Sequence, residues 1–294
     1  MSFKILLITH KSPLPIKDGG AYAINNIIKG YLNKNCKVDL LILSTKKHSA
    51  NKEILENTYN EANIFIQKIN TRINLIKNLI INIPLILKKY YSKKVKDKIT
   101  YILKNNQYDF IQIEGIQTTI YLNYIKKLTT TKIIYRPHNI EYKIWERFSK
   151  IQNNIFSKFF YKFISQNLKK YKKNIINKYD ILIPITEIDA NFFKTNGNFK
   201  PIHVHPFGID INPEKINDED NNLFFIGSLD WKPNIEGLEW FLTYVWKEIK
   251  EKFSEIRFYI AGRNPSKRIK SLIIKSKAEF IGEVDDSGEF IKKH

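Results

Sequence analysis

The chain has 294 residues, a formal net charge of +20 and 43% hydrophobic residues. This length suits two domains or one large one, with enough apolar residues to fill a core. Its single cysteine, Cys36, excludes a disulfide framework and a cysteine-based zinc site, which is typical of a reducing cytoplasm. The first residues enter an apolar strand without a cleavage site, so we expect no secretory signal.

Apolar runs alternate with helix-period segments over the first two hundred residues. This alternation is typical of a mostly parallel sheet that is covered by helices. After the first strand, Ile24, Ile27 and Ile28 recur at helical spacing and predict a helix with one buried face. The predicted strands cover residues 3–9, 38–43, 63–66, 110–113, 132–135, 181–185 and 202–204.

A polar, acidic segment after Gly208 predicts an interdomain linker. Beyond it lie three apolar strands that each run into a glycine, at Gly227, Gly262 and Gly282, and a helix is predicted over residues 234–252. We therefore predict an α/β protein of two Rossmann-like doubly wound domains, 1–208 and 209–294. The second domain is predicted to be incomplete, because three strands are fewer than such a sheet usually contains.

Candidate binding residues follow the strands of the first domain. Gly19 and Gly20 open the first helix, where free backbone N–H groups can meet an anion. Glu114, His138 and Glu141 follow two neighbouring predicted strands, so we expect them at the ligand edge of the sheet. A histidine there can bond a sugar hydroxyl or carry a proton, and a purely structural role is the alternative. Neither G-x-G-x-x-G nor a P-loop is present, which argues against a dinucleotide dehydrogenase or an ATPase.

Two groups of residues resemble metal ligands without completing a site. His203 and His205 point the same way on a strand, but no convincing third ligand accompanies them. Residues 218–220 (Asp-Glu-Asp) match the D-x-D pattern that holds a divalent ion, but they lie in the polar linker. We expect structural histidines, a solvated acidic loop and no metal site.

Between Lys150 and Tyr179 the chain carries many lysines and no acidic residue, with phenylalanines interleaved. A helix of this composition can lie on an anionic membrane surface. The alternative is a core-packed helix with a solvated basic face, and both interpretations stay open. Nucleic-acid binding is not expected, because no reader motif accompanies the charge. The lysines of the segment are Lys150, Lys158, Lys162, Lys169, Lys170, Lys172, Lys173 and Lys178.

Several motifs, taken in order, resemble those of family-4 glycosyltransferases of the GT-B fold. The resemblance covers nearly the whole chain. It implies transfer of a sugar from a nucleotide-sugar donor to a saccharide or lipid-linked acceptor hydroxyl, with retained configuration and without a cofactor or bound metal. It also implies surface-polysaccharide or glycolipid assembly in the cytoplasm, at the inner face of the cell membrane. The motifs are Asp18–Gly20, Arg136–Glu141, Ile185–Asp189, His205–Asp210, Phe225–Asn234, Ala261–Pro265 and Phe280–Val284.

The resemblance also implies roles for particular residues. His138 is the implied catalytic residue, in contact with the donor sugar, while Glu114 and Glu141 lie on the acceptor side. Ser228 stands where the family has an arginine, which alters the diphosphate contact. The implied donor-binding residues are Gly19, Gly20, Gly227, Lys232, Gly262 and Arg263.

The family's pair of glutamates near the donor ribose lies beyond residue 294. We therefore expect a C-terminally truncated copy, and the activity of this chain stays open. Two alternatives to a transferase remain: a GT-B sugar-nucleotide epimerase, and a basic non-catalytic module that binds a membrane or a partner.

Overall fold

The computed structural model describes residues 2–16, 18–46, 48–70, 83–208, 222–284 and 287–294. The chain divides into two compact units, Met1–Ile209 (unit 1) and Asp210–His294 (unit 2). The predicted linker, with its acidic residues 218–220, lies outside the described residues. Within the described part of the chain, no helix is both long and apolar enough to cross a bilayer.

Unit 1 is built on a parallel sheet that has six strands among its described residues, in the order β3-β2-β1-β4-β5-β6. This is the strand order of a doubly wound α/β fold, in which the direction of winding reverses between β1 and β4. The strands are β1 (Lys4–Thr9), β2 (Lys37–Ser44), β3 (Asn63–Lys68), β4 (Phe110–Glu114), β5 (Lys132–Arg136) and β6 (Ile181–Leu182).

Helices cover both faces of this sheet. Leu7 of β1 packs in one cluster with Ile24 and Leu55 from two helices, whereas Leu6 and Ile8 pack in another with Ile99 and further helical residues. This alternation follows from the two-residue period of a strand that is buried on both faces. The helices are α1 (Gly19–Asn33), α2 (Lys52–Thr58), α3 (Leu85–Lys88), α4 (Lys93–Asn105), α5 (Gly115–Thr118), α6 (Leu122–Leu128), α7 (Glu141–Lys150), α8 (Ile155–Ile175) and α9 (Glu187–Thr195), with a 3₁₀ turn at Thr119–Tyr121.

The structure shortens the last two strands predicted for unit 1. The predicted strand 181–185 is reduced to β6, and the predicted strand 202–204 contributes a single bridge between Ile202 and Leu182. Pro184 and Pro201 adjoin these pairings, and proline has no N–H group with which to extend a ladder.

Unit 2 contains, among its described residues, a parallel sheet in the order β7-β8-β9. The helix predicted over residues 234–252 widens into a π-helix at Phe241–Trp246. Leu238, Leu242 and Trp246 are all buried, and their four-residue spacing suits the wider turn. The strands are β7 (Leu223–Ile226), β8 (Phe258–Ala261) and β9 (Glu279–Gly282), and the helices are α10 (Lys232–Trp240), α11 (Lys247–Lys252), α12 (Lys267–Lys275) and α13 (Ser287–Lys293).

Candidate functional site

A buried carboxylate and a histidine meet at the carboxyl edge of the unit 1 sheet. Glu114 is the last residue of β4, and its Oε2 atom lies 2.5 Å from Nε2 of His138 and 3.3 Å from a terminal nitrogen of Arg136. Its other oxygen accepts a hydrogen bond from Gln112 at 2.5 Å. Burial acts to raise the pKa of Glu114, but the hydrogen bond from His138 and the charge of Arg136 outweigh it and hold the pKa below its usual value.

This contact determines how the imidazole of His138 can act. Because the Glu114 carboxylate is ionised, it can only accept, so Nε2 of His138 carries the hydrogen that it donates. In the neutral imidazole the other ring nitrogen, Nδ1, is then the acceptor. A carboxylate that fixes the tautomer of a histidine in this way is a common arrangement where a histidine must accept a proton or a hydroxyl hydrogen.

His10, directly after β1, lies beside His138. The two ring centroids are 5.9 Å apart, and Nδ1 of His10 donates to the backbone carbonyl of Glu114 over 3.2 Å. Burial, followed by the charge of Lys11, lowers the pKa of His10 well below its usual value, so this ring is neutral. His10 and Glu114 thus stand on either side of the point where the strand order reverses, the usual ligand position in such sheets.

Gly115 leaves room for the His10 ring. Its φ angle is +74°, and a Cβ atom at this position would lie 2.6 Å from Oε1 of Gln117 and 3.0 Å from two atoms of the His10 ring. A glycine is therefore required for both backbone and steric reasons.

Gly19 and Gly20 form the start of α1, at the end of the loop that begins with His10. Asp18 caps this helix, since its Oδ1 atom accepts from the N–H of Ala21 at 2.9 Å. Lys11 lies 2.9 Å from the same oxygen. Burial acts to raise the pKa of Asp18, but the charge of Lys11 outweighs it and lowers the pKa to about 2. Apart from its chain neighbours and the backbone of its own helix, no described residue comes within 4 Å of a Cβ atom built on Gly19, whereas one built on Gly20 would lie 2.8 Å from Nζ of Lys11 and 3.2 Å from Oδ1 of Asp18. The ion pair of Lys11 and Asp18 therefore lies against the start of α1.

The sequence predicted Glu141 at the ligand edge together with His138, but in the structure its carboxylate is buried against Lys172. Glu141 is the first residue of α7, and its Oε2 atom lies 3.8 Å from Nζ of Lys172 in α8. Burial raises the pKa of Glu141 and lowers that of Lys172, in each case against the attraction of the partner. The pair is therefore an internal link between α7 and α8.

At the carboxyl edge of the unit 2 sheet, the loop after β7 runs directly into α10. Gly227 directly follows β7, and Lys232 is the first residue of α10, whose N-terminal cap has no side-chain hydrogen bond. Arg263 follows β8 and donates from Nε to the hydroxyl of Ser228 over 3.3 Å. Two cationic side chains therefore flank a helix amino terminus, a combination that suits a phosphate group.

Gly262 has a packing role that the sequence did not predict. It is buried, and a Cβ atom there would lie 2.0 Å from the carbonyl oxygen of Gly227. The two backbones can approach this closely only if residue 262 has no side chain. Gly262 thus positions Gly227 and Arg263.

No three His, Cys, Asp or Glu side chains within the described ranges are grouped closely enough to hold a metal ion. His203 and His205 are both exposed.

Sequence reasoning did not single out His10, Gly115 and Arg136 as site residues. His10 directly follows a predicted strand and Gly115 is the second residue after another, which is a usable signal for the ligand edge. Their proximity depends on β1 pairing with β4, and those strands are about a hundred residues apart in the chain.

Residues 220–294 match the family model described as "Glycosyl transferases group 1". A relative, an uncharacterized 44.6 kDa protein in the cps region of Klebsiella pneumoniae, is 24% identical over 263 residues. The match covers 88% of this chain and 64% of the relative. The chain therefore spans less than two thirds of the length of that protein.

Two solved structures show the fold. Sucrose-phosphate synthase from Thermosynechococcus elongatus matches with a TM-score of 0.65 at 12% identity, over 96% of this chain and 71% of that chain. Phytolacca americana UGT2, complexed with UDP-2fluoro-glucose and pterostilbene, matches with a TM-score of 0.56 at 12% identity. This match covers 97% of this chain and 72% of that chain. The predicted GT-B class of two Rossmann-like domains is confirmed, and the family match confirms the resemblance of the C-terminal motifs to glycosyltransferases.

Proposed function

We propose that the chain is a glycosyltransferase that moves a sugar from a nucleotide-sugar donor to an acceptor hydroxyl. The observation that carries this proposal is the match of residues 220–294 to group 1 glycosyl transferases, because that segment includes the edge formed by Gly227, Lys232 and Arg263. The UDP-2fluoro-glucose complex of UGT2 supports a nucleotide sugar as the class of donor.

In unit 2, the donor diphosphate binds at the amino terminus of α10. The backbone N–H groups that follow Gly227 face the anion there, and Lys232 and Arg263 neutralise its charge. The hydrogen bond from Arg263 to Ser228 holds the guanidinium beside this loop. With this positive charge supplied by the chain, the proposed reaction uses no resident metal ion or other cofactor.

In unit 1, His138 is the residue that contacts the reacting sugar. Its Nδ1 atom accepts a hydrogen bond from a sugar hydroxyl and orients the sugar for transfer. Glu114 is buried and touches His138, so it acts as a positioning residue that holds the imidazole in one tautomer. Gly19 and Gly20 place backbone N–H groups at the start of α1, where a donor phosphate or the acceptor approaches beside the Lys11–Asp18 pair.

We propose a saccharide or a lipid-linked saccharide as the acceptor, in surface-polysaccharide or glycolipid assembly. The occurrence of a relative in a cps region supports this. The proposed location is the cytoplasm, at the inner face of the cell membrane, with retained configuration at the transferred sugar. Nucleic acid is not a proposed partner.

The test uses the full chain with a panel of UDP-, GDP-, ADP- and dTDP-sugars, with and without a lipid extract as the source of acceptor. We expect release of a nucleoside diphosphate, and a decrease of about 100-fold or more in His138→Ala, since misplacement of a reacting group costs roughly that factor. His203→Ala, which removes an exposed histidine outside the cluster, should retain activity. Equal rates in the two variants would refute the role of His138.

Analysis of the products separates the transferase from its alternatives. A new glycoside together with the diphosphate supports transfer. An isomeric sugar, or free sugar without an acceptor product, indicates the epimerase. A chain that binds anionic vesicles but no nucleotide is the non-catalytic module.

A further inference from the structure

The first turns of α8 present an aromatic face to solvent. This aromatic face consists of Phe156, Phe159, Phe160 and Phe163, whose exposed fractions are 81%, 64%, 50% and 55%. Their spacing of three and four residues places all four rings on one side of the helix. Ile155, at 60%, extends the same surface.

A different side of α8 attaches the helix to unit 1. Ile164, Leu168 and Ile175 are buried, and Ser165 donates to the backbone of Tyr142 over 2.9 Å. Tyr161 stacks on Trp145 of α7 with ring centroids 5.6 Å apart. The aromatic face is therefore not needed to hold the helix in place. Adjacent exposed aromatic rings of this number are unusual on a protein surface and mark an interaction site.

The charged residues of α8 itself have one sign. α8 has no acidic residue, and neither does the rest of the segment from Lys150 to Tyr179. Lys158 and Lys162 lie between the phenylalanines in sequence, and both are exposed. Three more lysines follow on the exposed part of the helix: Lys169, Lys170 and Lys173.

We propose that the aromatic face of α8 docks on an anionic lipid bilayer. The phenylalanine rings enter the boundary between headgroups and acyl chains, and the lysines remain at the level of the lipid phosphates. A bilayer fits better than a protein partner because the charged residues of α8 and of its flanking segment are all positive, and an anionic leaflet is negative over its whole surface. The inference deepens the proposed membrane location but does not depend on the transferase reaction.

The test measures co-sedimentation of the full chain with vesicles of phosphatidylglycerol and phosphatidylcholine in equal amounts. The triple variant Phe156→Ser/Phe159→Ser/Phe163→Ser removes three exposed rings, and we expect its apparent affinity to fall about tenfold or more. The matched control is Ile188→Ser/Phe199→Ser, whose side chains are 78% and 75% exposed elsewhere on unit 1. This control should bind as the wild type does.

The charge contribution is tested with Lys158→Gln/Lys162→Gln/Lys169→Gln. We expect this variant to bind anionic vesicles more weakly than the wild type, and we expect wild-type binding to fall with added salt and on pure phosphatidylcholine. Failure of the wild type to sediment with anionic vesicles would overturn the proposal, as would equal binding by the phenylalanine variant.

Sedimentation velocity without lipid tests whether a second copy of the chain, and not a bilayer, covers the aromatic face. If the wild type forms a dimer that the phenylalanine variant loses, and vesicle binding is absent, a second copy covers the aromatic face and the proposal is wrong. Nucleoside diphosphate release without lipid should be equal in the wild type and the phenylalanine variant. That measurement separates failure of the docking surface from failure of the proposed enzyme.

Discussion

His138 follows β5, and its Nε2 atom lies 2.5 Å from Oε2 of Glu114, the last residue of the neighbouring strand β4. β4 and β5 pair in parallel with Glu114 opposite Arg136, so the ends of the two strands bring the carboxylate, the guanidinium and the imidazole together. The carboxylate is shielded from water and depends on these partners for its charge. This dependence leads to the first prediction.

Glu114→Gln should destabilise unit 1 by about 3 kcal/mol, because it removes the negative partner of a buried arginine. It should also lower turnover, because the imidazole of His138 would no longer be held in one tautomer. The first effect is measured by urea unfolding followed by circular dichroism.

Glu56→Gln is the control for this change. Glu56 forms an exposed ion pair with Lys52 at 3.1 Å, and its loss should cost less than about 0.5 kcal/mol. Equal unfolding midpoints for the two variants would show that Glu114 is not a buried ion-pair partner.

Gly115→Ala should destabilise the protein by about 1–3 kcal/mol, because the new methyl group meets the His10 ring and the backbone has a φ of +74°. Gly30→Ala is the matched control. Gly30 lies within α1 with nothing within 4 Å of its Cβ position, so alanine there should stabilise by about 0.5–1 kcal/mol. The midpoint of thermal unfolding should therefore fall in Gly115→Ala and rise in Gly30→Ala. Shifts in the same direction would contradict the assigned geometry.

Gly262→Ala should disrupt the edge of unit 2, since its Cβ would lie 2.0 Å from a backbone oxygen that cannot rotate away. Hydrogen exchange should increase in β7 and β8 while unit 1 stays protected. Gly237→Ala, in α10 with open space around its Cβ position, serves as the control and should leave exchange unchanged or slower. Normal protection in Gly262→Ala would contradict the close approach of the loops that follow β7 and β8.

The ion pair between Lys11 and Asp18 predicts a pH-dependent stability. The pKa of Asp18 is lowered from 3.8 to about 2, so its contribution is complete above pH 3.8 and is lost as the pH falls toward 2. Asp18→Asn keeps an acceptor for the helix cap but removes the charge. The free energy of unfolding of the wild type should exceed that of this variant by about 1–2 kcal/mol at pH 6 and by about half as much at pH 3. A difference that does not change with pH would contradict the assigned pair.

Most of the fold could be predicted from the sequence because both sheets are parallel and buried. Their strands read as short apolar runs, and five of the seven strands predicted for unit 1 occur within about two residues of their expected limits. The shortened strands adjoin prolines, a local effect that apolar runs do not reveal. The π-helix at Phe241–Trp246 depends on how Trp246 packs against the sheet, with its indole donating to Ser276 over 2.8 Å.

The candidate site could be predicted only in part. Positions that directly follow strands, such as Glu114 and His138, follow from the rule that ligands meet the carboxyl edge. Glu141 shows the limit of that rule, because its partner Lys172 lies on another helix, and only the packing of α7 against α8 joins them. The surface of α8 shows the same limit, since its aromatic pattern suited burial and exposure equally well until the packing of the helix was known.

The central claim is that unit 2 binds a nucleoside diphosphate through Lys232 and Arg263, and titration calorimetry of the full chain with UDP, GDP, ADP and dTDP tests it most directly. The charge-matched control is Lys247→Ala/Arg268→Ala, because Lys232 and Lys247 each pair with a glutamate four residues on, at 3.9 and 4.0 Å. We predict that at least one diphosphate binds the wild type and the control, and that Lys232→Ala/Arg263→Ala weakens this binding about tenfold or more. Absence of binding to every diphosphate, or equal binding by the two double variants, would contradict the claim.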